Sequence, residues 1–375
     1  MKRKLTFLTG FLLLLLAETS AQQNINGSFI HGGLLRTYRV YIPASASATV
    51  PAPLVINLHG YGSNNIEQEL YTNFKPIADT AGFILVHPNG TPDFSNTMHW
   101  NAFGTSNVDD VGFLSALTDT LSTFLNINQS RVYVTGMSNG GFMSFQLACQ
   151  LGGRIAAVAS VTGTMTNTNL ATCQPPRPIP VMQIHGTADA TVPYPGNFLF
   201  APVQNLLNFW VGVNGTATVP QIVPLPDIDP DDGCTAELHT YGGGTNGSSV
   251  MHYKVIGGGH SWPGAPVNIN ITNMDFSASA EIWRFFRRYD LNGLIIGQNE
   301  MQAQNRPAIL LRQFNGWIEA TMPDNQIRKI HLFDLTGRLV YETVSSASTF
   351  RIAVANAGVY FLTTSDGLKR KFAVR

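Results

Sequence analysis

The chain reads as an α/β domain, a mostly parallel sheet flanked by helices, followed by a small all-β sandwich. Three observations predict this. Apolar, β-branched runs at 53–58, 83–87, 131–136, 155–160 and 179–185 are separated by stretches that can form helices. Runs of that kind are strands buried on both faces of a sheet. A sharp turn, Gly136-Met137-Ser138-Asn139-Gly140, joins one of them to a helix-forming stretch. Beyond residue 307, seven short alternating runs crowd into about 70 residues, a spacing that suits a sandwich.

The chain has 375 residues, 44% hydrophobic and 12% charged, enough for a large core and for two domains. Lys plus Arg equals Asp plus Glu at 23 each. No net field draws it to nucleic acid or to an anionic membrane. The expected organisation is a signal peptide over 1–21, an α/β domain over 22–293, a linker over 294–307 and a sandwich over 308–375.

At the N-terminus, Lys2, Arg3 and Lys4 precede an apolar stretch from Leu5 to Leu16, and Thr19-Ser20-Ala21 is a small-residue cleavage site. This is the pattern of a secretory signal peptide, too short to span a membrane. No other run is long enough, so no stable membrane insertion is expected. Residues 28–42 read as two strands around His31-Gly32-Gly33, a hairpin opening the sheet. A helix is expected from Asp110, with Phe113, Leu114, Leu117, Leu121 and Phe124 at core spacing. Asp109 and Asp110 read as its N-cap and dipole partners. Ala280 to Tyr289 reads as a closing helix, with Ile282, Phe285 and Phe286 inward and Trp283 packing. Residues 225–233 alternate carboxylates, but two prolines break them and the spacing is not an EF-hand. A solvated turn is the better reading.

The chemistry is expected at three strand ends. Ser138 sits at the tip of the strand–turn–helix, where Gly136 and Gly140 leave room for a strained backbone, as in a nucleophile elbow. The apolar run 178–184 ends in His185-Gly186, and Asp189 lies in the next loop. The alternating run from Ser249 to Ile256 leads into Gly257-Gly258-Gly259-His260. The order Ser, Asp, His is the order this architecture uses. A serine hydroxyl needs a neutral imidazole to take its proton, and the imidazole needs a carboxylate to hold its tautomer. His59 and His185 read as structural histidines at strand ends. No second ligand stands at metal spacing near His260, so neither metal nor cofactor is expected. The oxyanion hole is expected from the backbone N–H groups of Tyr61, after the strand 54–57, and Asn139. Trp100 and Trp262 are candidates to line the substrate cleft, with packing as the other reading of each.

Taken together, Leu58-His59-Gly60-Tyr61-Gly62, Val108-Asp109-Asp110-Val111-Gly112-Phe113, Gly136 to Gly141, Ile184-His185-Gly186-Thr187-Ala188-Asp189 and Gly257 to Gly264 resemble one family. It is the secreted polyhydroxybutyrate depolymerase and feruloyl esterase-like branch of the α/β hydrolases, and the resemblance covers roughly 27–290. It implies the α/β-hydrolase fold and a serine carboxylic ester hydrolase with the same nucleophile, acid and base. The implied substrates are feruloyl or acetyl esters on plant polysaccharide, or alternatively a short-chain polyester. A surface adhesin on a dead hydrolase fold is the non-catalytic alternative, and the intact Ser, Asp and His weigh against it.

Three cysteines are an odd number for an exported protein. Cys149 and Cys173 are the candidate disulfide, with two buried free thiols as the alternative. Oxidised, they would close a loop worth roughly 3–4 kcal/mol. Cys234 then has no obvious partner.

In the C-terminal module, strands are expected at 308–314, 317–322, 327–334, 338–343, 349–354, 358–364 and 369–374. Turn signals stand at Thr336-Gly337 and Ser365-Asp366-Gly367, and Lys369, Arg370, Lys371 and Arg375 make a basic end. Ile330 to Arg338 and Ala357-Gly358-Val359-Tyr360-Phe361-Leu362, with that basic last strand, resemble the sorting domain of the type-nine secretion system. The resemblance implies secretion machinery as a partner and export across an outer membrane to the surface or medium. A carbohydrate-binding module is the rival reading. Little aromatic platform supports it beyond Trp317, Phe314 and Tyr360, the last two at core-like positions.

Overall fold

A computed structural model describes residues 22–47, 49–295, 310–314, 317–322, 328–335, 338–347, 349–354, 357–365 and 369–374. The expected signal peptide, residues 296–307 of the expected linker, the Thr336-Gly337 and Asp366-Gly367 turns and Arg375 lie outside them, as do the side chains of Phe314, Lys369, Arg370 and Lys371. The chain divides into two compact units, Met1–Ile295 and Ile296–Arg375.

The first unit is built on a ten-stranded sheet. Its spatial order is Gln23–His31, Leu34–Ile42, Ile84–Pro88, Ala52–Leu58, Ile127–Met137, Ala157–Val161, Val181–Gly186, Val250–Ile256, Thr235–Tyr241 and Gln221–Pro224. Six consecutive strands, from Ile84–Pro88 to Val250–Ile256, run parallel, and antiparallel strands flank them on both sides. The opening hairpin turns at Gly32 and Gly33, both at positive φ. Every residue of Ala52–Leu58, Ala157–Val161 and Val181–Gly186 is buried. Strands in the middle of such a sheet are covered on both faces, which is why they read as unbroken apolar runs.

Helices fill the two faces. In Asp110–Ser122, Phe113, Leu114, Leu117 and Leu121 join one core layer. Phe124 does not: the helix ends at Ser122 and its ring is exposed, so the periodicity ran past the last turn. Asp109 caps the helix, accepting from the Gly112 N–H at 2.7 Å. Asp110 does more than complement the dipole. It is buried against Arg36 at 2.6 Å and accepts the Asn101 N–H at 2.7 Å. The closing helix spans Ala278–Phe286, earlier than expected. Ile282, Trp283, Phe285 and Phe286 are buried in the second core layer.

Gly293–Leu294 pairs with Tyr289–Asp290, so residue 294 belongs to this unit and not to a linker. Near Asp229 the carboxylates serve the backbone: Asp275 accepts from the Ile228 and Asp229 N–H groups, and Asp232 from those of Cys234 and Met274.

Among the described residues, the second unit holds seven strands in two antiparallel sheets. One is Leu310–Phe314, Trp317–Thr321 and Thr349–Ala353. The other is Leu339–Ser345, Arg328–Asp334, Gly358–Thr364 and Lys369–Val374. Ile318, Ala320 and Ile352 from the first meet Ile330, Leu332, Tyr360 and Leu362 from the second in one core. Two alternating sheets burying one face each make a sandwich.

Candidate active site

The candidate residues leave the sheet at the carboxyl ends of its parallel strands, where open α/β sheets form their binding crevices. Ser138 follows Ile127–Met137 and precedes the helix Asn139–Leu151. Its φ of 52° and ψ of −120° are a strained conformation that lifts the side chain out of the turn. The turn is possible because a Cβ at Gly136 would lie 2.6 Å from the Gly140 backbone, and one at Gly140 would run into the carbonyls of Leu58 and His59. Strand, helix and the neighbouring strand thus meet within van der Waals distance. The Ser138 N–H is held by the Val161 carbonyl at 2.8 Å.

Asp189 and His260 are brought together from adjacent strands that pair Gly186 with Val255. Their loops are zipped: the Thr187 N–H donates to Val255 O, Ala188 N–H to Gly258 O, and Gly257 N–H to Thr187 Oγ1. His260 Nδ1 lies 2.8 Å from Asp189 Oδ2. Asp189 is buried, whereas Ser138 and His260 are partly exposed. Asp189 Oδ1 accepts the N–H groups of Thr191 and Val192, each at 2.8 Å. Burial opposes its ionisation, but His185, His260 and the Val192 amide outweigh that and hold its pKa well below the usual carboxylate range. With the carboxylate ionised, Nδ1 of His260 carries the proton and Nε2 is left as the basic nitrogen.

His185 is a neighbour that sequence reasoning assigned only to structure. Its Nε2 is 3.4 Å from the same Asp189 oxygen and 2.8 Å from Val192 O. Gln183 donates its amide N–H to Nδ1 of His185 at 2.9 Å, so the Nε2 proton faces Asp189 and Val192.

The loop 59–62 lies against the elbow, and a Cβ on Gly60 would sit 3.5 Å from that of Ser138. The His59 ring is buried, and the Gly90 N–H donates to its Nε2 at 3.0 Å. Nδ1 must then carry the proton, which it donates to Gly60 O at 2.7 Å. Burial lowers the His59 pKa to about 4 and keeps this neutral tautomer near neutral pH. Across a trans peptide the carbonyl and N–H point oppositely, so the Tyr61 N–H is turned away from the buried imidazole. The Tyr61 side chain is half-exposed and bonds Asp93 at 2.6 Å.

Trp100 and Trp262 do not line a cleft; both are completely buried. The Trp262 indole N–H donates to Ser279 Oγ at 3.0 Å, and its ring packs edge-on against Phe74. The Trp100 indole N–H donates to His59 O at 3.0 Å. Proximity in sequence to a functional loop did not decide which way either indole points. Cys149 and Cys173 form a disulfide with Cα atoms 5.3 Å apart, and Cys234 is a buried free thiol. Burial, with the Asp232 carboxylate beside it, pushes the Cys234 thiol up to about 12. Among the described residues no helix is long and apolar enough to cross a membrane.

The phospholipase/carboxylesterase family matches residues 44–211. Over 262 residues, 70% of this chain, it is 26% identical to a bifunctional acetylxylan esterase/xylanase of Neocallimastix patriciarum. It is 27% identical over 291 residues, 70% of the chain, to a poly(3-hydroxybutyrate) depolymerase of Ralstonia pickettii. It is 28% identical over 280 residues, 71% of the chain, to feruloyl esterase D of Neurospora crassa. The chain spans 34% of the first relative's length, 55% of the second's and 84% of the third's. The first unit has the α/β-hydrolase fold: a large, mostly parallel sheet between helices, in a chain whose relatives carry esterase names.

Proposed function

We propose that the chain is a secreted serine esterase that hydrolyses carboxylic esters, feruloyl or acetyl esters on plant polysaccharide, with Ser138 as nucleophile. The observation that carries this reading is the 2.8 Å bond between His260 Nδ1 and Asp189 Oδ2, in a unit that also holds a serine at φ 52° on a strand-to-helix turn. In this mechanism Nε2 of His260 takes the Ser138 proton as the oxygen attacks the ester carbon. The tetrahedral oxyanion is met by the N–H groups of Tyr61 and Asn139. His260 then gives the proton to the leaving alcohol, and the acyl group stays on Ser138. Water, activated by the same imidazole, attacks the acyl-enzyme and frees the acid.

A short-chain polyester is the second reading. Phe94 and Phe198 favour it, because both rings are fully exposed. The Phe94 turn is tied to Tyr61 through Asp93, and the backbone of Phe198 is held by Asn167. Large aromatic rings left in water suit contact with an apolar solid. The C-terminal sandwich is assigned, on the same terms, to secretion machinery and export to the cell surface or medium.

The test is a hydrolysis panel of methyl ferulate, acetylated xylan and polyhydroxybutyrate, run beside fluorophosphonate labelling. Labelling of wild type but not of Ser138→Ala, with turnover of a polysaccharide ester, supports the proposal. Turnover of the polyester alone favours the second reading. An unlabelled, inactive wild type would make the chain a binding protein.

A further inference from the structure

We infer that Trp100 is a positioning residue that locks both halves of the oxyanion hole to each other. The inference rests on the reading of Ser138 as nucleophile and of the Tyr61 and Asn139 N–H groups as the hole. Those two groups come from different loops, and nothing in the local sequence sets the distance between them. The structure supplies one residue that grips both.

On one side, the side chain of Asn139 clasps the backbone of Trp100. Its Oδ1 accepts the Trp100 N–H at 2.6 Å, and its Nδ2 donates to the Trp100 carbonyl at 3.0 Å. An amide meeting one donor and one acceptor in this way has only one orientation. Asn139 is also the first residue of its helix, where the N–H has no partner within the helix. On the other side, the Trp100 indole N–H holds His59 O at 3.0 Å, and its ring lies 5.1 Å from the His59 imidazole. His59 in turn holds Gly60 O, so the two carbonyls that precede the Tyr61 N–H are both tethered. Trp100 and His59 are fully buried and Asn139 is 2% exposed, so water does not compete for these bonds.

A hole of this kind works because its donors are already aimed when charge develops. Displacing one by about 0.5 Å is enough to matter. The cost falls on the transition state, because the ground-state carbonyl makes weaker demands on the same groups.

The experiment uses the full-length protein with Trp100→Phe, which keeps a ring and deletes the indole N–H, and Asn139→Ala, which deletes the clasp and keeps the backbone N–H. Each is assayed on p-nitrophenyl acetate and with an aryl trifluoromethyl ketone. Ser138 adds to the ketone carbon, its proton passes to His260, and the ketone oxygen becomes an alkoxide in the hole. The expected result is a kcat lower by about tenfold to a hundredfold with KM within about twofold. Ketone affinity should weaken by the same factor as kcat/KM. A folded Trp100→Phe protein with wild-type kcat overturns the inference, as does a loss of kcat/KM with no loss of ketone affinity. If Asn139→Ala fails to fold, Trp100→Phe alone decides. Failure of the underlying reading looks different: a wild type that fluorophosphonate does not label, or an active Ser138→Ala protein.

Discussion

Asp189 and His260, 71 residues apart in sequence, meet at 2.8 Å because their strands are neighbours in the sheet. The remaining oxygen of Asp189 is committed to two backbone N–H groups, so the carboxylate cannot swing away from the imidazole. This rigidity suits the role of general base proposed for His260.

Removing any member of the proposed triad is expected to abolish hydrolysis without unfolding the protein. Ser138→Ala and His260→Ala should each lower kcat by about 10⁴-fold or more, and the double variant by little further, because the residues act as a unit. Asp189→Asn should cost as much or less, through the wrong imidazole tautomer. Steady-state kinetics on a soluble ester check this, and near-wild-type turnover by Ser138→Ala would refute the assignment.

Acidification should leave Asp189 ionised in the folded protein after most carboxyls have protonated. A carboxyl depressed by the fold adds stability above its unfolded pKa, about 3.9, and that contribution is lost as pH falls toward the folded value. Asp189→Asn should therefore lower Tm by a steady amount between about pH 7 and 5, and the gap should narrow below about pH 4. Thermal melts of both proteins across this range measure it; a gap that widens in acid contradicts the assignment.

Gly140→Ala should be poorly tolerated. Its methyl would meet the carbonyls of Leu58, the last residue of a buried strand, and of His59, the buried residue that follows it, and neither can retreat. The expected cost is about 3 kcal/mol, read as a fall in the urea midpoint with activity lost in parallel. A variant as stable as wild type would show that the elbow has room for a methyl group at this position.

The three cysteines should behave unequally. Cys234 should resist alkylation at pH 8 in the native protein and react once in urea, since it is buried and its thiol is pushed up to about 12. Replacing Cys149 and Cys173 by Ala should cost about 3–4 kcal/mol. Mass spectrometry of alkylated protein reads the first outcome and denaturant titration the second.

A protein ending at Ile295 should fold and keep its kcat on a soluble ester, because the first unit closes its own core and the Tyr289–Asp290 and Gly293–Leu294 pairing lies within it. In the native host the same truncation should stop short of the surface if the sandwich is a sorting signal. Retained soluble activity with lost binding to insoluble polysaccharide would identify a binding module instead. Failure to fold would place the boundary elsewhere.

Much of this architecture is legible in the sequence because local sterics write it there. Only glycines fit at 136 and 140 around Ser138, two-sided burial makes unbroken apolar strands, and the alternation beyond residue 307 marks seven strands of a sandwich. The order Ser138, Asp189, His260 follows from the order of those strands. What the tertiary structure alone decided is where side chains point once the elements pack. Trp100 and Trp262, near functional loops in sequence, turned inward to hydrogen-bond buried partners. His185 reached Asp189, and Asn139 closed on Trp100 across 39 residues. A periodic pattern tells which face of an element is apolar; it carries no information about which distant carbonyl a buried N–H finds, although leaving such a group unpaired costs stability.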